Sequence, residues 1–180
     1  MANNSRKVIT EVVRLMYPNV FEPKVMSAGE AKYSAMILIP KSDVVTVQRI
    51  NDAIIEAENY GVKKYGDAFL VGYRRKPIYD GSERAQKHPL YNENFIINAK
   101  NANPPQIVDR NLVEITDSRE IYSGVYVRVS LYFFPYNKHG AKGIAAGLGN
   151  IQKIKDGESY GFYCNAASEF SVIDEDFLLA

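Results

Sequence analysis

The segment 124–137, GVYVRVSLYFFPYN, constrains the fold most, because apolar residues alternate along it with residues of another kind. Successive side chains of a β-strand point to opposite faces of the sheet, so every second residue shares a face. The odd-numbered residues are apolar and suit a hydrophobic core: Val125, Val127, Val129, Leu131, Phe133 and Pro135. The even-numbered residues combine four aromatic rings with an arginine and a serine: Tyr126, Arg128, Ser130, Tyr132, Phe134 and Tyr136. The pattern predicts a strand with one buried face and one face available for binding.

Further extended segments and one helix accompany this strand. Runs rich in β-branched and apolar residues predict strands within 6–17, 33–39, 69–79, 95–99, 112–115 and 150–155. A long helix is predicted after Ser42 or Asp43, either of which can cap it, and its apolar residues recur every three or four positions up to Gly61. Proline, glycine and polar residues predict turns or loops at 18–23, 80–94 and 140–149.

These elements predict a mainly β protein with one principal helix. The order strand, strand, helix, strand is compatible with an OB-fold-like five-stranded barrel with long loop insertions, and a small sandwich stays open as the other architecture. A length of 180 residues suits a single domain. We expect this domain at 1–164, followed by an acidic C-terminal tail at 165–180.

The composition argues against several classes of protein. No apolar run reaches the roughly 18 residues that a membrane helix needs, and the N-terminal residues lack the apolar centre of a signal peptide, so we expect a cytoplasmic protein. The single cysteine, Cys164, excludes an intramolecular disulfide, and only two histidines accompany it. A usual structural zinc site is therefore not expected, and no sequence feature calls for a metal or another cofactor.

No constellation of residues indicates an enzyme. The glycines of 140–149 lack the closing GK[ST] of a phosphate-binding loop. A metal-dependent nuclease would need carboxylates beside its basic surface, but 121–155 contains five basic residues and no acid. Cys164 has no basic partner that the sequence places beside it. We therefore expect no catalytic residues.

The charges are distributed unevenly along the chain. The formal net charge is only +1, yet residues 169–180 contain four acids and no base, which leaves the rest of the chain basic. Segment 121–155 carries five bases and no acid, and segment 63–87 carries seven bases and three acids. A basic body with an acidic end is typical of proteins that bind a polyanion. The alternative is an ordinary solvated surface with a charged end.

The even-numbered face of the strong strand has the chemistry that single-stranded nucleic acid requires. Bases stack on aromatic rings, and a nearby cation neutralises the adjoining phosphate. Alternate residues on one face lie about 7 Å apart, which is close to the span of an extended nucleotide, so Tyr132, Phe134 and Tyr136 are predicted to form a stacking row. The predicted contacts to single-stranded DNA are Arg74, Lys76, Tyr126, Arg128, Tyr132, Phe134, Tyr136, Lys138 and Lys142.

Two other interpretations of the same face stay open. The helix or another sheet can cover it, in which case its rings belong to a core. It can also serve as a protein interface in a structural or interaction module, such as a virion or replisome component, because tyrosine and arginine are enriched in such interfaces.

The segments IYSGVYVRVSLYFFPYNKHGAKGIAAGLGNIQKIKDGE (121–158) and NAKNANPPQIVD (98–109) resemble a family of phage single-stranded DNA-binding proteins. The resemblance covers roughly residues 6–160. It implies an OB-fold and a role in coating single-stranded DNA during phage replication, recombination or repair, in the cytoplasm of the bacterial host. The family's aromatic and basic residues correspond here to Arg128, Tyr132, Phe134, Tyr136, Lys138 and Lys142.

Binding proteins of this kind often end in an acidic tail that closes with an aromatic residue. Here the last residues are DEDFLLA, so two leucines and an alanine follow Phe177, which departs from that pattern. Such a tail can dock replication proteins such as a polymerase, helicase or nuclease, or occupy the basic groove as a weak intramolecular competitor, and a merely solubilising end stays open as the third interpretation. The residues predicted for this contact are Asp174, Glu175, Asp176 and Phe177.

Overall fold

The computed structural model describes residues 4–27, 29–72 and 74–160. These ranges contain one α-helix, α1, at Val44–Tyr65. The strands within these ranges are β1 (Lys7–Ile9), β2 (Val13–Val25), β3 (Ala31–Pro40), β4 (Ile78–Asp80), β5 (Asn94–Asn101), β6 (Ile107–Val108), β7 (Tyr126–Lys138) and β8 (Ala141–Lys155). No helix in the described ranges is both long enough and apolar enough to span a membrane.

Five strands close into a barrel. β2 pairs with β3, β3 with β5, β5 with β8, β8 with β7, and β7 again with β2. The β5–β8 pair is parallel, and the other four pairs are antiparallel. The short strands β1, β4 and β6 extend this ring at β7, β5 and β8. The predicted fold class, an OB-fold-like five-stranded barrel with one principal helix, is confirmed.

The barrel interior holds the inward side chains of all five strands. Leu15, Ile37, Ile97, Leu131 and Phe133 are each 0% exposed. Burial of this apolar surface is the main term that stabilises the fold. The helix α1 adds Ile50, Ala53 and Ala57 to the same core.

The helix begins as predicted but ends later. The Asp43 side chain accepts a hydrogen bond from the Thr46 backbone N–H at 3.0 Å, so Asp43 is the N-cap. Gly61 was predicted to end the helix, and this prediction is wrong, because α1 continues to Tyr65. A Cβ at Gly61 would lie 2.4 Å from the Phe69 ring, so this glycine provides space for a buried aromatic side chain.

Two predicted loops are strands. The segment 18–23 lies inside β2, where register shifts follow Met16 and Asn19. A proline has no N–H to donate to a neighbouring strand, so Pro18 and Pro23 fit at such irregularities. The glycine-rich segment 140–149 falls almost wholly within β8, which pairs with β7 from Tyr126 to Lys138. Its small residues mark close packing rather than flexibility.

The predicted strands at 112–115 and 69–79 are largely absent. Glu114 forms a single bridge with Val108. Within 69–79, Arg75 forms a single bridge with Gly143 of β8, and only Ile78 and Tyr79 belong to a strand, β4. The segment 80–94, predicted as a long loop, connects β4 to β5 mainly through 3-10 helices at Gly81–Lys87 and Pro89–Tyr91.

Candidate nucleic-acid interface

The two faces of β7 differ as the alternation predicts. Val127, Val129 and Leu131 are each 0% exposed and point into the barrel, whereas Tyr132 and Phe134 are 39% and 37% exposed. Tyr126, Arg128, Ser130 and Tyr136 on the same outward face are partly exposed. A covering helix or second sheet would bury these rings. The outward face of β7 is therefore a surface and not a second core.

Two aromatic rings form a stacked pair on this surface. The ring centroids of Tyr132 and Phe134 are 6.5 Å apart, with an angle of 21° between the ring planes. Tyr136 is the next residue on the same face, at the base of the turn between β7 and β8. Aromatic rings spaced along a strand in this way offer flat faces to which bases can add by stacking.

The neighbouring strand β8 leaves the rings uncovered. Residues opposite each other in an antiparallel pair share a face of the sheet. Gly147 is paired with Tyr132, Ala145 with Phe134, and Gly143 with Tyr136. Each aromatic side chain thus has a residue with at most a methyl group beside it. Gly147 and Ala145 therefore leave an open strip next to Tyr132 and Phe134, whereas Gly143 is buried against the backbone of Arg75.

Cations border the aromatic row. The Arg128 Nε donates a hydrogen bond to the Thr10 carbonyl oxygen at 3.1 Å, which fixes the guanidinium near the middle of β7. The Arg14 guanidinium carbon and the Lys155 Nζ lie 4.6 Å and 4.7 Å from the centroid of the Tyr126 ring. Lys7 is exposed and is paired with Tyr132. Within the described ranges, none of these four cations forms an ion pair with a carboxylate.

Tyr160 adds a neutral hydroxyl at the Tyr126 end of the face. An Arg14 terminal nitrogen donates to the Tyr160 hydroxyl oxygen at 3.3 Å, and that hydroxyl donates to the Glu158 carboxylate at 2.6 Å. The hydrogen bond to Glu158 raises the pKa of Tyr160 above its ordinary value, because the phenolate form could not donate it. Tyr160 therefore keeps its proton at neutral pH and joins the Arg14 guanidinium to the Glu158 carboxylate through its hydroxyl group.

Lys138 and Lys142 occupy different environments. Lys138 is exposed at the turn between β7 and β8, where His139 and Gly140 have φ angles of 50° and 77°. The Lys142 Nζ donates to the carbonyl oxygen of Ala68 at 2.8 Å and to that of Val71. Lys142 thus anchors the chain after α1, whereas Lys138 presents its charge to solvent.

Arg74 and Lys76 line a separate cleft of about 950 Å³ between α1 and the segment 72–80. An Arg74 terminal nitrogen forms a 2.8 Å ion pair with Glu58 of α1. Lys76 is exposed. The cleft wall includes Ile144, which belongs to the inward face of β8. The structure therefore does not bring these two residues together with the outward side chains of β7.

Three cations of the face were missed by the sequence analysis: Lys7, Arg14 and Lys155. They reach the face through strand pairing, since Lys7 is paired with Tyr132, and Arg14 and Lys155 are paired with Tyr126. The charge of Lys155 was counted within the acid-free segment, but the sequence analysis did not assign its side chain to a face of the sheet. No local pattern contains the register between residues 7 and 132, so the sequence held no signal for Lys7.

Some of the predicted features fall outside the described residues. These are the tail residues Asp174, Glu175, Asp176 and Phe177, Cys164, and the domain boundary after residue 164. In the part of the chain that is described, no group of three or more His, Cys, Asp or Glu side chains is arranged to hold a metal ion.

Solved structures of phage proteins share this fold. The single-stranded DNA-binding protein from bacteriophage Enc34, in complex with single-stranded DNA, superposes with a TM-score of 0.78 at 24% sequence identity, over 87% of this chain and 90% of that chain. The single-stranded DNA-binding protein gp2.5 of bacteriophage T7 gives a TM-score of 0.63 at 16% identity, over 94% of this chain and 96% of that chain.

Sequence comparison gives a relationship over nearly the whole length. A protein designated p50 from Acyrthosiphon pisum secondary endosymbiont phage 1 is 32% identical over 186 residues, which cover 97% of this chain and 99% of the relative. The model of the family described as "Enterobacter phage Enc34, ssDNA-binding protein" matches residues 6–178. The chain therefore belongs to the family of phage single-stranded DNA-binding proteins represented by that of Enterobacter phage Enc34.

Proposed function

We propose that this protein binds single-stranded DNA without sequence preference on the outward face of β7. The observation that carries the proposal is the exposed, stacked pair Tyr132 and Phe134, beside cations that no described carboxylate neutralises. Bases would stack on the rings, and Arg128, Lys7 and Lys155 would attract the phosphates. Membership of the Enc34 family and the likeness to a structure solved with single-stranded DNA support the same conclusion.

The chemistry of the face favours single strands over duplex DNA. In a duplex the flat faces of the bases are stacked on each other, and only their edges reach the grooves. Stacking on a protein ring requires an unpaired base and tolerates any of the four bases, because each has a π-face. The face has a row of rings and few side chains placed to read base edges. We therefore expect it to distinguish single strands from duplexes, but not one base sequence from another.

The biological role that follows is protection of single-stranded DNA in the cytoplasm of the bacterial host. A protein that stacks any base and neutralises any phosphate can coat strands exposed during phage replication, recombination or repair. Binding of this kind needs no catalytic group. We accordingly propose a binding protein and not an enzyme.

Titration of a labelled oligonucleotide tests the proposal. We expect clear preference for the single strand over a duplex of the same sequence, with similar affinities for different base compositions. The logarithm of the binding constant is expected to fall with the logarithm of salt concentration, by about 0.7 for each phosphate neutralised. Equal affinity for duplex and single strand would contradict stacking. Absence of salt dependence would instead favour a protein-interaction surface.

The two lysines beside the β7–β8 turn are expected to respond differently to mutation. Lys138→Ala should make the salt dependence shallower by about 0.7 and leave stability nearly unchanged, because the side chain is exposed and is not buried in the fold. Lys142→Ala should mainly lower the melting temperature, because it removes the donor to Ala68 and Val71. Salt titrations and thermal unfolding of both variants measure this. An unchanged slope for Lys138→Ala, or a slope change for Lys142→Ala without loss of stability, would contradict these assignments.

The acidic tail supplies a second proposed role, the docking of replication proteins through Asp174, Glu175, Asp176 and Phe177. The sequence supports it, since four acids between 169 and 180 repel DNA and leave Phe177 as an apolar contact. Deletion of 169–180 is expected to leave affinity for single-stranded DNA equal or higher, most clearly at low salt where screening is weakest. A loss of affinity or of thermal stability would show that these residues belong to the domain.

A further inference from the structure

Arg6 lies between two aromatic rings from different elements. Its guanidinium carbon is 4.0 Å from the ring centroid of Tyr60, on α1, and 5.1 Å from that of Tyr132, on β7. The residue is 9% exposed. Its Nε is buried and has no hydrogen-bond partner among the described residues, and no described carboxylate forms an ion pair with it.

This placement is unusual for a cation. Arginine stays protonated in proteins, so its burial costs hydration energy that a neighbouring carboxylate normally offsets. Here the faces of two rings provide the compensation through cation–π attraction. A positive charge is thus held between two tyrosines and is not neutralised by an acid. The negative charge of an approaching phosphate would offset the hydration energy that the guanidinium loses on burial.

The rings around Arg6 continue the aromatic row of β7. Tyr60 is 42% exposed, Tyr132 is 39% exposed, and Phe134 stacks on Tyr132. Phe134, Tyr132, the Arg6 guanidinium and Tyr60 therefore follow one another, from the β7–β8 hairpin to the last turns of α1. Both rings lie against the same guanidinium group. The distance between the ring centroids of Tyr60 and Tyr132 therefore cannot exceed the sum of 4.0 Å and 5.1 Å.

Tyr60 also has cations of its own. Residues three and four positions apart lie on the same side of a helix, so Lys63 and Lys64 both follow Tyr60 on that side, and the Lys64 Nζ lies over the Tyr65 ring, 5.2 Å from its centroid. Both lysines are exposed, and neither forms an ion pair with a carboxylate in the ranges described. Glu56 lies one turn earlier on that side and would repel phosphate. The combination of a ring and unpaired cations, seen on β7, thus recurs at the C-terminal end of α1.

We propose that the DNA-binding path crosses Arg6 and continues onto Tyr60, with Arg6 contacting the phosphate between the two stacking positions. The inference rests on the proposed function and extends its site from the barrel to the helix. Tyr60 acts as a further stacking residue in this arrangement. Arg6 has two roles, since it binds phosphate and also holds α1 against β7.

Tryptophan fluorescence tests the path, because the chain contains no tryptophan. We would compare the variants Tyr60→Trp and Tyr132→Trp, each titrated with an oligothymidylate of about 16 nucleotides, the upper site size for one OB-fold. The control is Val44→Trp, since Val44 is 69% exposed on the same helix, about 24 Å along the axis from Tyr60. We expect quenching of Tyr60→Trp and Tyr132→Trp with the same one-to-one midpoint, and none of Val44→Trp.

The outcomes separate this inference from the proposed function. Quenching of Tyr132→Trp without quenching of Tyr60→Trp would overturn the extended path and leave the β7 site in place. Absence of quenching in both variants would overturn the β7 site as well.

The role of Arg6 has its own readout. Arg6→Gln is expected to make the salt dependence shallower by about 0.7, and Arg6→Lys is expected to restore it. The control Arg119→Gln should leave the slope unchanged, because Arg119 is exposed and paired with Asp117. A folded Arg6→Gln variant with the wild-type slope would overturn the phosphate contact. If Arg6→Gln does not fold, the fluorescence of Tyr60→Trp decides the path.

Discussion

Phe133→Ala and Phe134→Ala are expected to have opposite consequences, although the two residues are adjacent. Phe133 is 0% exposed inside the barrel, so its loss should lower the free energy of unfolding by about 3–5 kcal/mol. Phe134 is 37% exposed and stacks on Tyr132, so its loss should weaken binding of single-stranded DNA by about 1–3 kcal/mol. Denaturant unfolding and oligonucleotide titration of both variants measure the two effects.

Two conservative variants show whether stacking is responsible. Phe134→Tyr keeps an aromatic ring and should keep the affinity, whereas Phe134→Leu keeps apolar volume without a π-face and should lose it. If Phe134→Ala unfolds the protein and leaves the affinity of the folded fraction unchanged, the outward face of β7 has a packing role and the proposed site is wrong.

Gly143→Val is expected to release the basic segment that precedes β4. Arg75 joins β8 through two hydrogen bonds, from its N–H to the Lys142 carbonyl oxygen and from the Ile144 N–H to its own carbonyl oxygen, both at 3.0 Å. A Cβ at Gly143 would lie 2.4 Å from the Arg75 carbonyl oxygen and 2.7 Å from its nitrogen. Because both atoms belong to the backbone, the segment must move and both hydrogen bonds are lost.

The expected cost is about 2 kcal/mol in the free energy of unfolding, from two hydrogen bonds worth about 1 kcal/mol each. Limited proteolysis with trypsin should then cut faster between 74 and 76. Gly147→Ala is the matched control on the same strand, because its Cβ would approach neighbouring atoms only to 3.3 Å. Wild-type stability and wild-type cleavage of Gly143→Val would show that the 74–76 segment is not held by β8.

The sequence predicted those parts of the structure that depend on local patterns. The period of two in 124–137 gave β7 and the facing of its side chains, because alternation is a property of neighbouring residues. The N-cap of α1, expected at Ser42 or Asp43 and found at Asp43, also depends only on neighbouring residues. The order of elements was compatible with the barrel but left a sandwich open, and the family resemblance favoured the barrel.

The errors arose where a residue serves a distant part of the chain. Glycine was interpreted as a stop at Gly61 and as flexibility in 140–149, whereas it makes room for Phe69 at the first position and for the Arg75 backbone at Gly143. Prolines were interpreted as a turn at 18–23, although β2 continues through them with shifts in its register to β3. Arg6 and Lys7 reach the site only through the pairing of β1 with β7, which no local pattern encodes.

Cross-linking by ultraviolet light shows whether single-stranded DNA lies on the outward face of β7, because it reports which residues touch the bases. The protein would be irradiated in complex with an oligonucleotide of about 16 nucleotides that carries photoreactive pyrimidines, and the linked peptides would be identified by mass spectrometry. We expect cross-links at Tyr132, Phe134 and Tyr136. Cross-links confined to the cleft around Arg74 and Lys76, with none on β7, would contradict it.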